Sequence, residues 1–208
     1  MEKNIAILMA DLSGYTALTE IHGSVAAADL IDKYIGIAEN CLVGDSRLHE
    51  RTGDEIMVIS DSPDFLLATA LMIGKNTSNE ENFLQVHGGL PSGPAFPRAP
   101  RYFGSAINLT ARIAAKANPG TYWCSKEYVN ALSGESVRTL TSKGTQLFKN
   151  IREEREVFEL CIEDRRAFYI DPVCRMLILD SKNAIPHPNE DDQFFCSSDC
   201  LKIYISKY

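Results

Sequence analysis

Apolar residues fall along this chain in short continuous runs and in longer stretches of helical spacing, and these two patterns predict its elements. Ile5 to Ala10 is an unbroken apolar run that predicts a buried strand. Thr16 to Leu42 carries Leu18, Ile21, Val25, Leu30, Tyr34 and Ile37 near helical spacing, with a break expected at His22-Gly23. Ser46 to Ser60 has apolar positions on both sides of Thr52-Gly53-Asp54, the composition of two strands joined by a tight turn. Ser62-Pro63-Asp64 supplies a capping residue and a proline at a first helical position, and the following FLLATALMIGK predicts a mostly buried helix. Phe83 to Gly89 predicts a strand, and the glycines and prolines up to Pro97 predict a loop. After Tyr102 a helix is expected to about Lys116, stopped by Asn118-Pro119-Gly120.

The order strand, helix, hairpin, helix, strand is the split βαβ arrangement of ferredoxin-like α+β folds. Short strands at Thr121–Ser125, Val137–Thr141 and Val157–Ile162, with a helix from Lys126 to Leu132, extend it. The charged run at 163–166 marks a joint between this body and a tail.

Composition narrows the function classes. With 208 residues, 45% apolar and 24% charged, the chain is long enough for one core plus a small appendage. Its net charge of −7 and lack of a dense Lys/Arg run argue against a nucleic-acid partner. The N-terminal apolar stretch, about six residues, is far short of the roughly 20 that a spanning helix needs, so no membrane partner and a cytoplasmic location are expected. Cys41, Cys124 and Cys161 stand singly among apolar residues and read as core, whereas Cys174, Cys196 and Cys200 gather in the last quarter and suggest a metal.

The candidate chemistry sits on four residues. Asp11 and Asp54 each stand where a strand gives way to a turn, and two carboxylates so placed can hold a hard cation. Asn108 and Arg112 are four apart within one helical pattern, which puts an amide and a guanidinium on one face, suited to a charged transition state. His49 and His87 lie in strand contexts and read as packed or exposed, not catalytic.

The segments ILMADLSGYTAL, ERTGDEIMVIS, VHGGLPSG, YFGSAINLTARI and NPGTYWCS, in this order and at these separations, resemble the catalytic domain of class III adenylate and guanylate cyclases over residues 1–163. The resemblance implies the nucleotide cyclase fold and conversion of ATP or GTP to a 3′,5′-cyclic nucleotide and pyrophosphate. It implies two Mg2+ or Mn2+ ions on Asp11, Asp54 and the Leu12 carbonyl, with Asn108 and Arg112 stabilising the transition state. Lys149 stands at the place of the family's triphosphate-binding lysine, although Asn150 replaces the glycine that follows it there. In that family the metal acids and the Asn/Arg pair meet across a head-to-tail dimer, so a homodimer is expected.

At the base-reading positions, adenylate cyclases carry Lys and Asp or Thr, and guanylate cyclases Glu and Cys; this chain has Glu50 and Arg101. Glu50 accepting from guanine N1 and N2 and Arg101 donating to O6 suit GTP, whereas pairing of the two with each other would leave the base unread. The tail, DPVCRM at 171–176 and FFCSSDC at 194–200, resembles a YHS domain over residues 167–208, related to TRASH-type metal-binding modules. Cys174, Cys196 and Cys200 match its thiolate pattern, with His187 as fourth ligand for Zn2+ or Cu+. Two rival readings remain from the sequence: a cyclase-like domain that binds nucleotide or responds to metal without turnover, and a metal-handling tail on a dimerisation platform.

Overall fold

The computed structural model describes residues 2–99, 101–133, 140–160, 169–173, 177–178 and 184–207. Strand β1 (Lys3–Leu12) runs through the middle of the main sheet. Its alternation sends Ile5, Ile7 and Met9 to one face and Ala6, Leu8, Ala10 and Leu12 to the other, so the continuous apolar run of the sequence serves two cores. Ile7 and Leu8 are fully buried, and each such side chain contributes about 1.5–3 kcal/mol.

Helix α1 (Tyr15–Asn40) is interrupted at Gly23, where φ is 81° and ψ 169°, at the break the sequence predicts. The hairpin β2 (Arg47–Thr52) and β3 (Glu55–Ser60) follows, then α2 (Pro63–Ser78) and β4 (Val86–Leu90). Ser62 Oγ caps α2 by accepting the Phe65 N–H, an interaction typically worth about 1 kcal/mol. The strand order β2-β3-β1-β4 is that of the split βαβ fold, as expected. Residues of α1 and α2 pack on the Leu8 face.

The expected loop up to Pro97 is instead two strands, β5 (Ser92–Arg98) and β6 (Arg101–Phe103). The prolines hid them: β5 pairs with the start of β1, setting Pro94 opposite Asn4, at the margin of the sheet where a missing N–H is tolerated. Helix α3 (Ser105–Ala114) then crosses the Met9 face. Strand β7 (Tyr122–Ser125) pairs parallel to β4, and α4 (Lys126–Ala131) follows it. Of the later strand expected at Val137–Thr141, Leu140 and Thr141 open β8 (Leu140–Gln146), and residues 137–139 lie outside the described set. This edge strand is largely exposed and bulged between Ser142 and Thr145, so it carries no apolar signature. It pairs with β9 (Arg155–Leu160).

In the tail, β10 (Tyr169–Ile170) pairs with β11 (Leu177–Ile178), and β12 (Ile185–Pro186) pairs with β13 (Phe194–Phe195) ahead of helix α5 (Ser198–Lys207). Cys41 and Cys124 are buried as expected; Cys161, Cys174 and the charged joint at 163–166 lie outside the described residues. No described helix is long and apolar enough to cross a membrane.

Candidate active site

The end of β1 and the β2–β3 turn deliver the two acids to one place. Thr52 pairs with Glu55, leaving Gly53 and Asp54 as a two-residue turn whose first position has a φ of 63°, which glycine adopts freely. Because β1 pairs with β3, this turn comes up beside Asp11, and the two carboxyls share a hydrogen bond. Partial burial, that bond and the Asp11 charge push the Asp54 carboxyl up to about 6. Asp11 Oδ1 also accepts the Leu12 N–H at 3.0 Å. Two adjacent carboxyls, with that of Asp54 raised, are a donor set that a divalent cation fits, since its charge relieves the repulsion that otherwise retains a proton. Asp11, Leu12 and Asp54 are the residues that would hold it.

His87 joins this group, which the sequence did not foretell. It sits directly opposite Asp11 across the β1–β4 pairing, and its Nδ1 is 2.8 Å from Ser13 Oγ. Burial lowers its pKa, against the pull of the Asp54 charge and of a hydrogen bond to the Asp11 backbone. The signal available was a titratable side chain in an otherwise apolar central strand, VHGGL. His49 is a packed residue: its ring meets that of Tyr102 edge-on at 5.0 Å.

Glu50 and Arg101 come together, with Arg101 Nη2 3.9 Å from Glu50 Oε1. A bulge makes this possible. Leu48 pairs with Val58 and Glu50 with Met57, so His49 is one residue too many for the ladder. Val58 belongs to the core under α1 and α2 and Met57 to the core under α3, so the extra residue turns Glu50 onto the α3 face, where regular alternation from Leu48 would have denied it. There Glu50 borders a hollow of about 200 Å³ with Met9, Thr52, Glu55 and Met57. The Glu55 carboxyl is raised by burial and by the charges of Asp54 and Glu50.

Asn108 and Arg112 both project from α3 as exposed side chains. The helix is held close by Gly89: a Cβ there would stand 2.7 Å from the Ala114 nitrogen and 2.8 Å from the Thr110 oxygen. Arg112 occupies the last turn, a favourable place for a cation. Asn108 lines a cleft of about 390 Å³ with Ser105, Gly93, Asn150, Glu127 and Arg155. Lys149 is exposed in the turn next to Asn150, and the buried Phe148 fastens that turn to the core containing Ile113 of α3. Asn150 has φ 64°, so it adopts the left-handed backbone for which glycine is the usual residue.

In the tail, ligand atoms of Asp171, Cys196 and Cys200 lie within 4.8 Å of one another, with the two sulfurs 3.8 Å apart. Asp171, buried, accepts the N–H groups of Val173 and Cys196 at 2.8 Å each. His187 is not in this group: its ring meets Phe195 and Tyr204, and its Nδ1 accepts the Asn189 N–H.

No family model matches the chain. A pH-sensitive adenylate cyclase of Mycobacterium tuberculosis is 29% identical over 118 residues, 57% of this chain and 30% of that protein. The chain spans about a third of the length of the curated relatives it matches. Among solved structures, an adenylate cyclase of Trypanosoma brucei superposes with a TM-score of 0.71 at 17% identity, over 85% of this chain and 93% of that one. The guanylate cyclase domain of a Catenaria anguillulae protein, in complex with GTP, gives 0.64 at 15% identity, over 77% and 97%. These structures share the mixed α+β fold of the chain, and the sequence match shows its similarity to an adenylate cyclase over 118 residues.

Proposed function

We propose that this protein is a nucleotidyl cyclase that converts a nucleoside triphosphate to its 3′,5′-cyclic nucleotide and pyrophosphate, acting as a homodimer. The observation that carries the reading is the pair Asp11 and Asp54, two hydrogen-bonded carboxyls at the tips of neighbouring strands, one of them raised to about 6. Mg2+ or Mn2+ held by Asp11, Asp54 and the Leu12 carbonyl would acidify the ribose 3′-hydroxyl and neutralise the triphosphate. Arg112 of the second copy meets charge developing on the α-phosphoryl oxygens, a preorganised contribution of roughly 3 to 4 kcal/mol. Asn108 orients the ribose from within its cleft, and Lys149 holds the triphosphate beside it. Glu50 and Arg101 read the base, with hydrogen-bonding capacity that suits guanine. The tail, as a YHS-like module, takes Zn2+ or Cu+ on Cys174, Cys196 and Cys200.

Incubating the purified protein with each of the four nucleoside triphosphates and Mn2+, followed by chromatography, tests the reading and names the base. One cyclic product, lost in Asp11→Ala and reduced about 10²- to 10³-fold in Arg112→Ala, is expected. The 3.9 Å approach of Arg101 to Glu50 favours a second reading, a nucleotide-binding regulator without turnover, since a pair satisfied internally leaves the base unread. Nucleotide binding with no product from any triphosphate would establish that alternative.

A further inference from the structure

We propose that His87 is a positioning residue for the metal-binding turn, acting through Ser13. This rests on the reading of Asp11 and Leu12 as metal ligands. The turn Asp11-Leu12-Ser13-Gly14 leaves the sheet immediately after its ligands, and Gly14 with φ 90° already bends the chain into α1. Without further support, the Asp11 carboxylate and Leu12 carbonyl would ride on a segment free to fray. Two bonds from the β4 side prevent this: the Ser13 N–H donates to the Gln85 carbonyl at 2.8 Å, and Ser13 Oγ bonds His87 Nδ1 at 2.8 Å. His87 is itself fixed by its place in β4, directly opposite Asp11. Gly89, two residues on, is the spot where α3 rests on the sheet, so the strand that grips the turn is also the strand that seats the helix carrying Asn108 and Arg112. Groups that orient metal ligands typically change metal affinity by tenfold to a hundredfold when removed.

The test is Mn2+ binding by the full chain, followed by the paramagnetic resonance of free Mn2+ without nucleotide, alongside circular dichroism to verify folding. His87→Ala and Ser13→Ala are each expected to weaken Mn2+ about tenfold, and the double variant no further, because both break one bond. His87→Asn, which keeps a polar atom near the Nδ1 position, should recover most of the affinity. The same variants should raise the Mn2+ concentration needed for half-maximal turnover without altering the rate at saturating Mn2+. Tight wild-type binding that Asp11→Ala abolishes but His87→Ala and Ser13→Ala leave unchanged would overturn the role of His87 alone. Losses in the two single variants that simply add in the double would do so as well. Wild-type protein that binds no Mn2+ would overturn the metal assignment and this inference with it.

Discussion

Arg101 Nη2 stands 3.9 Å from Glu50 Oε1, and both side chains are substantially exposed. An exposed pair at this separation contributes at most about 1 kcal/mol to stability, so the fold does not depend on it and the proposed role in base reading can be tested by substitution. Substituting Arg101→Asp together with Glu50→Lys, the residues of adenylate cyclases at these places, should leave the melting temperature within a few degrees. It should move the ratio of kcat/KM for GTP over ATP by about tenfold to a hundredfold toward ATP, the range for gain or loss of a few base contacts. Competition assays with both triphosphates measure this directly; an unchanged ratio would show that the pair does not read the base.

The Asp54 carboxyl titrates at about 6, above its ordinary value, so between about pH 4 and 6 the folded protein holds a proton that the unfolded chain has released. The stability contributed by protonated Asp54 is therefore complete below about pH 4 and lost as pH rises through about 6. A divalent cation must displace this proton, which predicts a larger rise in melting temperature on adding Mn2+ at pH 7.5 than at pH 5. Thermal denaturation at the two pH values checks it, and Asp54→Asn should remove the difference. Equal Mn2+ effects at both would contradict it.

Asn150 at φ 64° sets the direction of the chain at Lys149. Asn150→Gly should be tolerated with turnover retained. Asn150→Val, a β-branched residue forced into the same backbone, should cost about 1–2 kcal/mol and raise KM for the triphosphate through displacement of Lys149. Chemical denaturation and steady-state kinetics separate the two effects.

The clustered sulfurs of Cys196 and Cys200 predict metal in the tail. Protein purified in Zn2+-supplemented medium should carry metal by atomic absorption, and replacing Cys174, Cys196 and Cys200 by serine should remove it while leaving nucleotide turnover intact. Aspartate 171 is a separate matter: both its oxygens already accept backbone N–H groups, so Asp171→Asn should disturb the fold of the tail more than its metal content.

Much of the fold was legible because its centre is written in side-chain burial. Ile5 to Ala10, the hairpin around Gly53-Asp54 and the capped α2 all carry patterns that only one element type satisfies, and they bring Asp11 and Asp54 together without further help. Strands β5 and β6 were not legible, since marginal strands with prolines or mostly exposed residues leave no apolar trace. Strand register was equally hidden. It alone puts His87 opposite Asp11, and no local pattern encodes which residue of β4 a residue of β1 will face. His187, the histidine that spacing offered to the tail thiolates, is held among Phe195 and Tyr204 instead, a preference of aromatic packing that spacing does not report.

The surplus residue at His49 means that the face on which Glu50 emerges depends on how β2 is paired as well as on its spelling. Straightening the bulge without shortening β2 would set His49 opposite Met57 and Glu50 opposite Ile56, aiming the Glu50 carboxylate at the oily layer beneath α1 and α2, where an ionised acid is costly. If Glu50 reads the base as proposed, a bulge-free strand must carry its acid directly after the residue matching Leu48 to present it on the same face.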